Sequence, residues 1–164
     1  MMKKNNNDQG VKVGLSIIII RDKKILLGKR LNTETFPDTL ACPGGRMDYE
    51  ESPEEGIIRE TFEETSLIIE LKNLLFLNYV NEIFPEENKH YVNLVFIATK
   101  ADGEPKVMEP DKCEFWKWYD PFNLPKDTFI NIKNNIENNE KIMKELIYGK
   151  SFINFYKKIY EYRI

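Results

Sequence analysis

The chain has 164 residues, a formal net charge of −3 and 41% hydrophobic residues. That size bounds it to a single domain whose core needs no covalent staples. The slight negative balance argues against a nucleic-acid or membrane-surface partner, and no apolar stretch approaches the length of a membrane span.

In chain order, residues 1–9 are polar and Asn-rich and are expected to form a disordered leader, with no targeting signal. VKVGLSIIII (11–20) is a β-branched run that predicts a strand, and KILLGKR (24–30) predicts its hairpin partner across a turn at 21–24. A polar loop over 31–40 leads to a short strand ending at the Gly-rich turn ACPGG (41–45). Ser52 as N-cap, Pro53 at the first helical position and Glu55 three residues after the cap predict a helix from Pro53 to about Thr65. Residues 67–84 read as one or two strands around Lys72 and Asn73. Residues 91–100 and 113–120 read as further strands, the latter alternating Phe115, Lys117 and Tyr119 against Trp116 and Trp118. From about residue 127 helical periodicity predicts one helix over IENNEKIMKELIY, stopped by Gly149, and a second over SFINFYKKIYEY. Strands, one acidic helix, more strands and terminal helices together predict a mixed sheet with helices packed on it. Cys42 and Cys113 are too few and too widely spaced for a zinc pattern or a disulfide framework. They are expected as reduced, partly buried thiols of a cytoplasmic protein.

The densest chemical signal is GGRMDYEESPEEGIIRETFEET (44–65), which holds eight acidic residues between Asp48 and Glu64 against one cation, Arg59. Like charges one helical turn apart cost about 0.2–0.5 kcal/mol per pair, so this helix is either well solvated or built around cations. Glu60, Glu63 and Glu64 share one helix face. Such an oxygen-rich set suits a hard divalent ion such as Mg²⁺. Ile57, Ile58, Thr61 and Phe62 are expected on the packed side. Arg59 has Glu55 and Glu51 within reach for a carboxylate strut. A Glu-rich helix taken alone is most often a solvated, salt-bridged face, so the helix spacing by itself does not decide.

The full pattern is more specific. Gly45, Glu51, Arg59, Glu60, Glu63, Glu64 and Leu67 stand at the fixed points of G-x5-E-x7-R-E-U-x-E-E-x-G-U, where U is apolar. The sequence therefore resembles the Nudix family. Thr61 and Ser66 depart from the pattern, replacing an apolar residue and the last Gly, and neither removes a carboxylate. Outside the box, LLGKR, NKHYVNLVF and EPDKCEFWKW are similar to the MutT-like branch acting on dGTP analogues and thiopurine nucleotides. The resemblance implies a Nudix fold, an α/β/α sandwich with a mixed sheet, over 10–164, with a helical extension over about 127–164. It also implies a homodimer in many relatives, and hydrolysis of a purine nucleoside triphosphate to monophosphate and pyrophosphate. The alternatives are hydrolysis of nucleotide sugars or dinucleoside polyphosphates, or a non-catalytic nucleotide-binding module. By the same resemblance Mg²⁺, with Mn²⁺ as a substitute, is held by Glu60 and Glu64 with help from the Gly44 carbonyl and Glu63. The catalytic set is Glu60, Glu63 and Glu64, and Glu51 and Arg59 are structural. Lys29, Arg30, Gly45 and Asn93 are candidates for substrate contact. Glu109, Asp111 and Glu114 are candidate distal acids, weighed against a merely charged loop. His90, Trp116 and Trp118 are expected to be structural.

Overall fold

A computed structural model describes residues 10–32 and 36–149. The expected leader and the second C-terminal helix lie outside the described residues. Strand β1 (Lys12–Arg21) turns through Asp22 and Lys23, both at positive φ (49° and 64°), into β2 (Lys24–Arg30). That pair of left-handed residues is the geometry whose twist matches a two-residue hairpin. Short strands β3 (Leu40–Ala41) and β4 (Gly44–Arg46) precede helix α1 (Pro53–Thr65). A 3₁₀ turn at Leu71–Asn73 then leads into the long strand β5 (Leu74–Phe84), followed by β6 (Lys89–Ala98) and β7 (Cys113–Tyr119). The chain closes the described fold with helices α2 (Ile130–Asn138) and α3 (Glu140–Tyr148). The region read as one helix is therefore two. The break falls at Asn139, whose backbone (φ −114°, ψ 23°) leaves helical geometry while its side chain bonds back to the Asn135 carbonyl at 2.7 Å.

The sheet is mixed. Its path runs β3-β2-β1-β6-β5, with β4 paired to β1 and β7 to β2. Strand β1 runs parallel to β6 from Lys12↔Tyr91 to Ile19↔Ala98. Its other edge changes partner, bonding β4 at Gly14–Ser16 and β2 only at Ile20 and Arg21. The sheet thus splays between β2 and β4.

Both faces of β1 are buried, which is why its sequence is a continuous apolar run rather than an alternation. Ile17 and Ile19 join Leu26, Phe96 and Ile57 under α1. Ile18 and Ile20 join Ile25, Val95 and Ile97 under Ile136, Met143 and Ile147 of α2 and α3. Trp116 and Trp118 pack on the first core, and Phe115 and Tyr119 on the second, as the alternation of β7 predicts. Helices thus cover the sheet on both sides.

Helix α1 begins with the expected capping box. The Ser52 hydroxyl accepts from the Glu55 N–H, and the Glu55 carboxylate accepts from the Ser52 N–H. Its buried seam is Ile57, Thr61 and Thr65, one residue per turn. Each threonine hydroxyl donates to the carbonyl one turn back, Thr61 to Ile57 at 2.6 Å and Thr65 to Thr61 at 2.5 Å. Thr61 can therefore stand where an apolar residue is usual. Phe62 does not join the seam and is half exposed. The helix ends with Ser66 in the left-handed conformation (φ 62°), its N–H bonded to the Phe62 carbonyl. No described helix is long and apolar enough to cross a membrane.

Candidate active site

Where the sheet splays, a cleft opens with two chambers. The first is lined by acids and glycines: Glu60, Glu63 and Glu64 of α1, Gly44 and Gly45 of β4, and Glu109 from the loop before β7. The second, of about 540 Å³, lies over β1, β5 and β6 and is walled by Phe36, Phe84, Tyr91 and Phe129. Arg30, Gly44, Gly45 and Lys112 border both.

Strand β4 brings helix and sheet together because its glycines carry no side chain. A Cβ on Gly44 would sit 2.1 Å from the Leu15 carbonyl oxygen, and one on Gly45 would sit 2.2 Å from Cδ of Glu60. The Gly44 N–H donates to Glu64 Oε2 at 3.0 Å. The last turn of α1 is also tied to β7, where the Trp116 indole N–H donates to the Glu64 carbonyl at 3.2 Å. Glu64 is thus fixed from two directions. Burial pushes its carboxyl up to about 7; the Gly44 N–H opposes that, Glu60 and Glu109 add to it, and Arg30 opposes it.

Arg59 is the strut between loop and helix. It binds Glu51 through Nε at 3.1 Å and Nη2 at 3.0 Å, and donates to the Arg46 carbonyl at 3.2 Å. It also pairs with Glu60 and Glu63, each at 3.1 Å. Its partner is not Glu55, which is occupied by the cap. The Arg59 bonds hold the Glu51 carboxyl below its usual range.

The predicted residues fall in different parts of the cleft and beyond it. Glu60, Glu63, Glu64, Gly44, Gly45 and Arg30 share the acid chamber. Asn93 lies in the second chamber and donates to Ser16 Oγ at 3.3 Å. Lys29 lies on neither chamber's lining. Its ammonium is held by Asp127 at 3.0 Å and by the Asp38 carbonyl. Arg30, the next residue, lines both chambers, so the structure places the two cations apart. His90 is bonded to Asn81 across the β5–β6 hairpin at 2.7 Å. Of the three candidate distal acids only Glu109 lines the chamber, where it pairs with Lys112 at 2.7 Å; Glu114 stands on β7. Glu82 and Asn131, not among the residues expected from sequence, also line the second chamber. A signal was present: Val80, Glu82 and Phe84 alternate onto one face of β5, and an acid between two apolar residues is out of place there.

The NUDIX domain family matches residues 11–145. This chain belongs to the Nudix family. An ADP-ribose pyrophosphatase of Methanocaldococcus jannaschii is 35% identical over 139 residues, covering 85% of this chain and 75% of that protein. The crystal structure of a MutT Nudix hydrolase from Burkholderia pseudomallei superposes with a TM-score of 0.73 at 31% identity, over 78% of this chain and 97% of that one. A MutT protein from Methanosarcina mazei superposes at 0.71 with 20% identity, over 84% and 98%. The fold is the Nudix fold.

The donor set of this Nudix site fits a hard divalent cation. Its carboxylates and the Gly44 carbonyl offer oxygen donors, and the most buried carboxylate, Glu64, stands beside Glu60 and Glu109. Cys42 and Cys113 also line the chamber, but burial pushes both thiols up and keeps them protonated. Among the described residues no three His, Cys, Asp or Glu side chains stand close enough together to hold a metal ion; Arg59 pairs with Glu60 and Glu63, and the Gly44 N–H donates to Glu64.

Proposed function

We propose that the protein hydrolyses a purine nucleoside triphosphate to the monophosphate and pyrophosphate, with Mg²⁺ in the acid chamber. The observation that carries this reading is the continuity of the cleft. An aromatic-walled cavity of nucleoside size opens past Arg30 directly onto the acidic helix face. A triphosphate is itself strongly anionic, so four carboxylates can accept it only through cations. Glu60 and Glu64, with the Gly44 carbonyl, would hold the metal. Bound there, Mg²⁺ supplies charge neutralisation at the phosphoryl oxygens and acidifies water.

The chain itself does the positioning. Arg59 orients Glu60 and Glu63, and Arg30 and Lys112 stand where the two chambers meet. Glu63, half exposed on α1, and Glu109, on the facing loop, remain to take a proton from the attacking water.

The 35% identity to an ADP-ribose pyrophosphatase favours a second reading, cleavage of a nucleoside diphosphate joined to a sugar. The two are separated by ³¹P NMR of dGTP and of ADP-ribose incubated with the protein and Mg²⁺, with Glu64→Gln as control. Pyrophosphate from dGTP supports the first reading. AMP and ribose 5-phosphate from ADP-ribose, with dGTP intact, support the second. No turnover of either removes both.

A further inference from the structure

The second chamber poses a chemical question. Lys12, Arg30, Arg46, Lys89 and Lys112 surround it, as suits a polyanion, yet among its described lining residues stands one acid, Glu82. A carboxylate in an anion-binding cavity weakens binding unless it makes a contact of its own.

Glu82 is held in place for such a contact. Asn131 of α2 donates to its Oε1 at 2.6 Å, and Asn93 of β6 donates to it as well. Asn93 is in turn fixed by Ser16 at 3.3 Å. Burial raises the carboxyl above its ordinary range, and the two amides and the Arg30 charge oppose that rise without cancelling it. An ionised carboxylate has acceptor sites only, about four of them. The amides use two, which leaves acceptor capacity toward a cavity already walled by aromatic rings.

We propose that Glu82 selects the base, its carboxylate accepting the two adjacent N–H donors on the Watson–Crick edge of guanine. Guanine presents N1–H and the N2 amino group side by side. Hypoxanthine keeps N1–H and lacks the amino group. Adenine turns the N1 lone pair toward the carboxylate, which repels it. A site built to hydrogen-bond a group discriminates strongly against the analogue lacking it, because its own polar group is left unpaired. The inference rests on the reading that this cleft takes a nucleotide.

The test compares kcat/KM for dGTP, dITP and dATP with Mg²⁺, alongside calorimetric binding of GMP, IMP and AMP. The expected order is guanine, then hypoxanthine, then adenine, with about tenfold or more per lost charge-assisted hydrogen bond. Glu82→Gln, which offers one acceptor and one donor, should narrow the guanine-to-adenine ratio by about tenfold or more. Asn131→Ala, which frees Glu82 to move, should narrow it less. Should Glu82→Gln misfold, the wild-type ratios and Asn131→Ala decide. Equal ratios across the bases, or ratios untouched by both variants, overturn the proposal. Failure to hydrolyse any triphosphate sinks the reaction proposed above but leaves base selection to be read from the monophosphates. No binding of any of the three overturns base selection too.

Discussion

Glu64→Gln should make the metal-free protein more stable while abolishing its turnover. In the fold the Glu64 carboxyl titrates at about 7 against 4.5 for an ordinary glutamate, because it is buried beside Glu60 and Glu109. Between those values the folded state binds more protons than the unfolded chain, so stability falls as pH rises. The cost is absent below about pH 4.5 and complete above about pH 7. A shift from 4.5 to about 7 corresponds to about 3 kcal/mol. Gln carries no charge and can still accept from the Gly44 N–H. In EDTA at pH 8 the variant should therefore melt about 6–12 °C above the wild type for a domain of this size, and the gap should close near pH 4.5. Adding Mg²⁺ should raise the wild type and leave the variant unmoved, since only a state that binds the ion gains from it. Thermal melts of both proteins across pH 4.5–8, with EDTA and then with Mg²⁺, measure all of this. A variant less stable than wild type at pH 8, or a difference of constant size across that range, refutes the account of Glu64 as an acid strained by its neighbours.

Other substitutions probe the frame around it. Gly45→Ala places a methyl group on the Glu60 carboxylate; because that side chain can swing away, Tm should change by less than about 4 °C, while Mg²⁺ affinity by calorimetry should fall at least tenfold. Arg59→Lys loses the two-pronged grip on Glu51; it should cost about 1 kcal/mol in urea unfolding and lower kcat, and an unchanged kcat would count against the strut. Ser66→Gly relieves a left-handed residue (φ 62°); it should stabilise by about 1 kcal/mol with activity intact.

The elements with strong local chemistry were readable in advance. The capping box, the β1–β2 hairpin and the alternating aromatics of β7 each follow from a few neighbouring residues, and the structure has them. The acid helix was readable because Gly45, Glu51, Arg59, Glu60, Glu63, Glu64 and Leu67 stand at the fixed points of one pattern; the helical spacing of the three acids alone does not decide. Non-local outcomes were hidden. The split at Asn139 depends on a side chain folding back onto its own helix. The diversion of Lys29 to Asp127 joins residues far apart in the chain. Phe62 has the composition of a core residue, yet the seam chose two threonines, whose hydroxyls are satisfied within α1. Glu109 reads as one charge in a charged loop until the chain folds it opposite Glu64.

The parallel pairing of β1 with β6 has a consequence for biogenesis. It joins residues such as Lys12 and Tyr91, about 80 positions apart in the chain, and closing so long a loop makes folding slow. On the ribosome α1 emerges before β6, and synthesis at about 5–20 residues per second separates them by seconds. During that interval the acid-rich helix lacks the completed sheet that will bury its seam. A nascent chain ending before Lys89 should show no Mg²⁺-dependent protection from protease, which would first arise once β6 has cleared the exit tunnel.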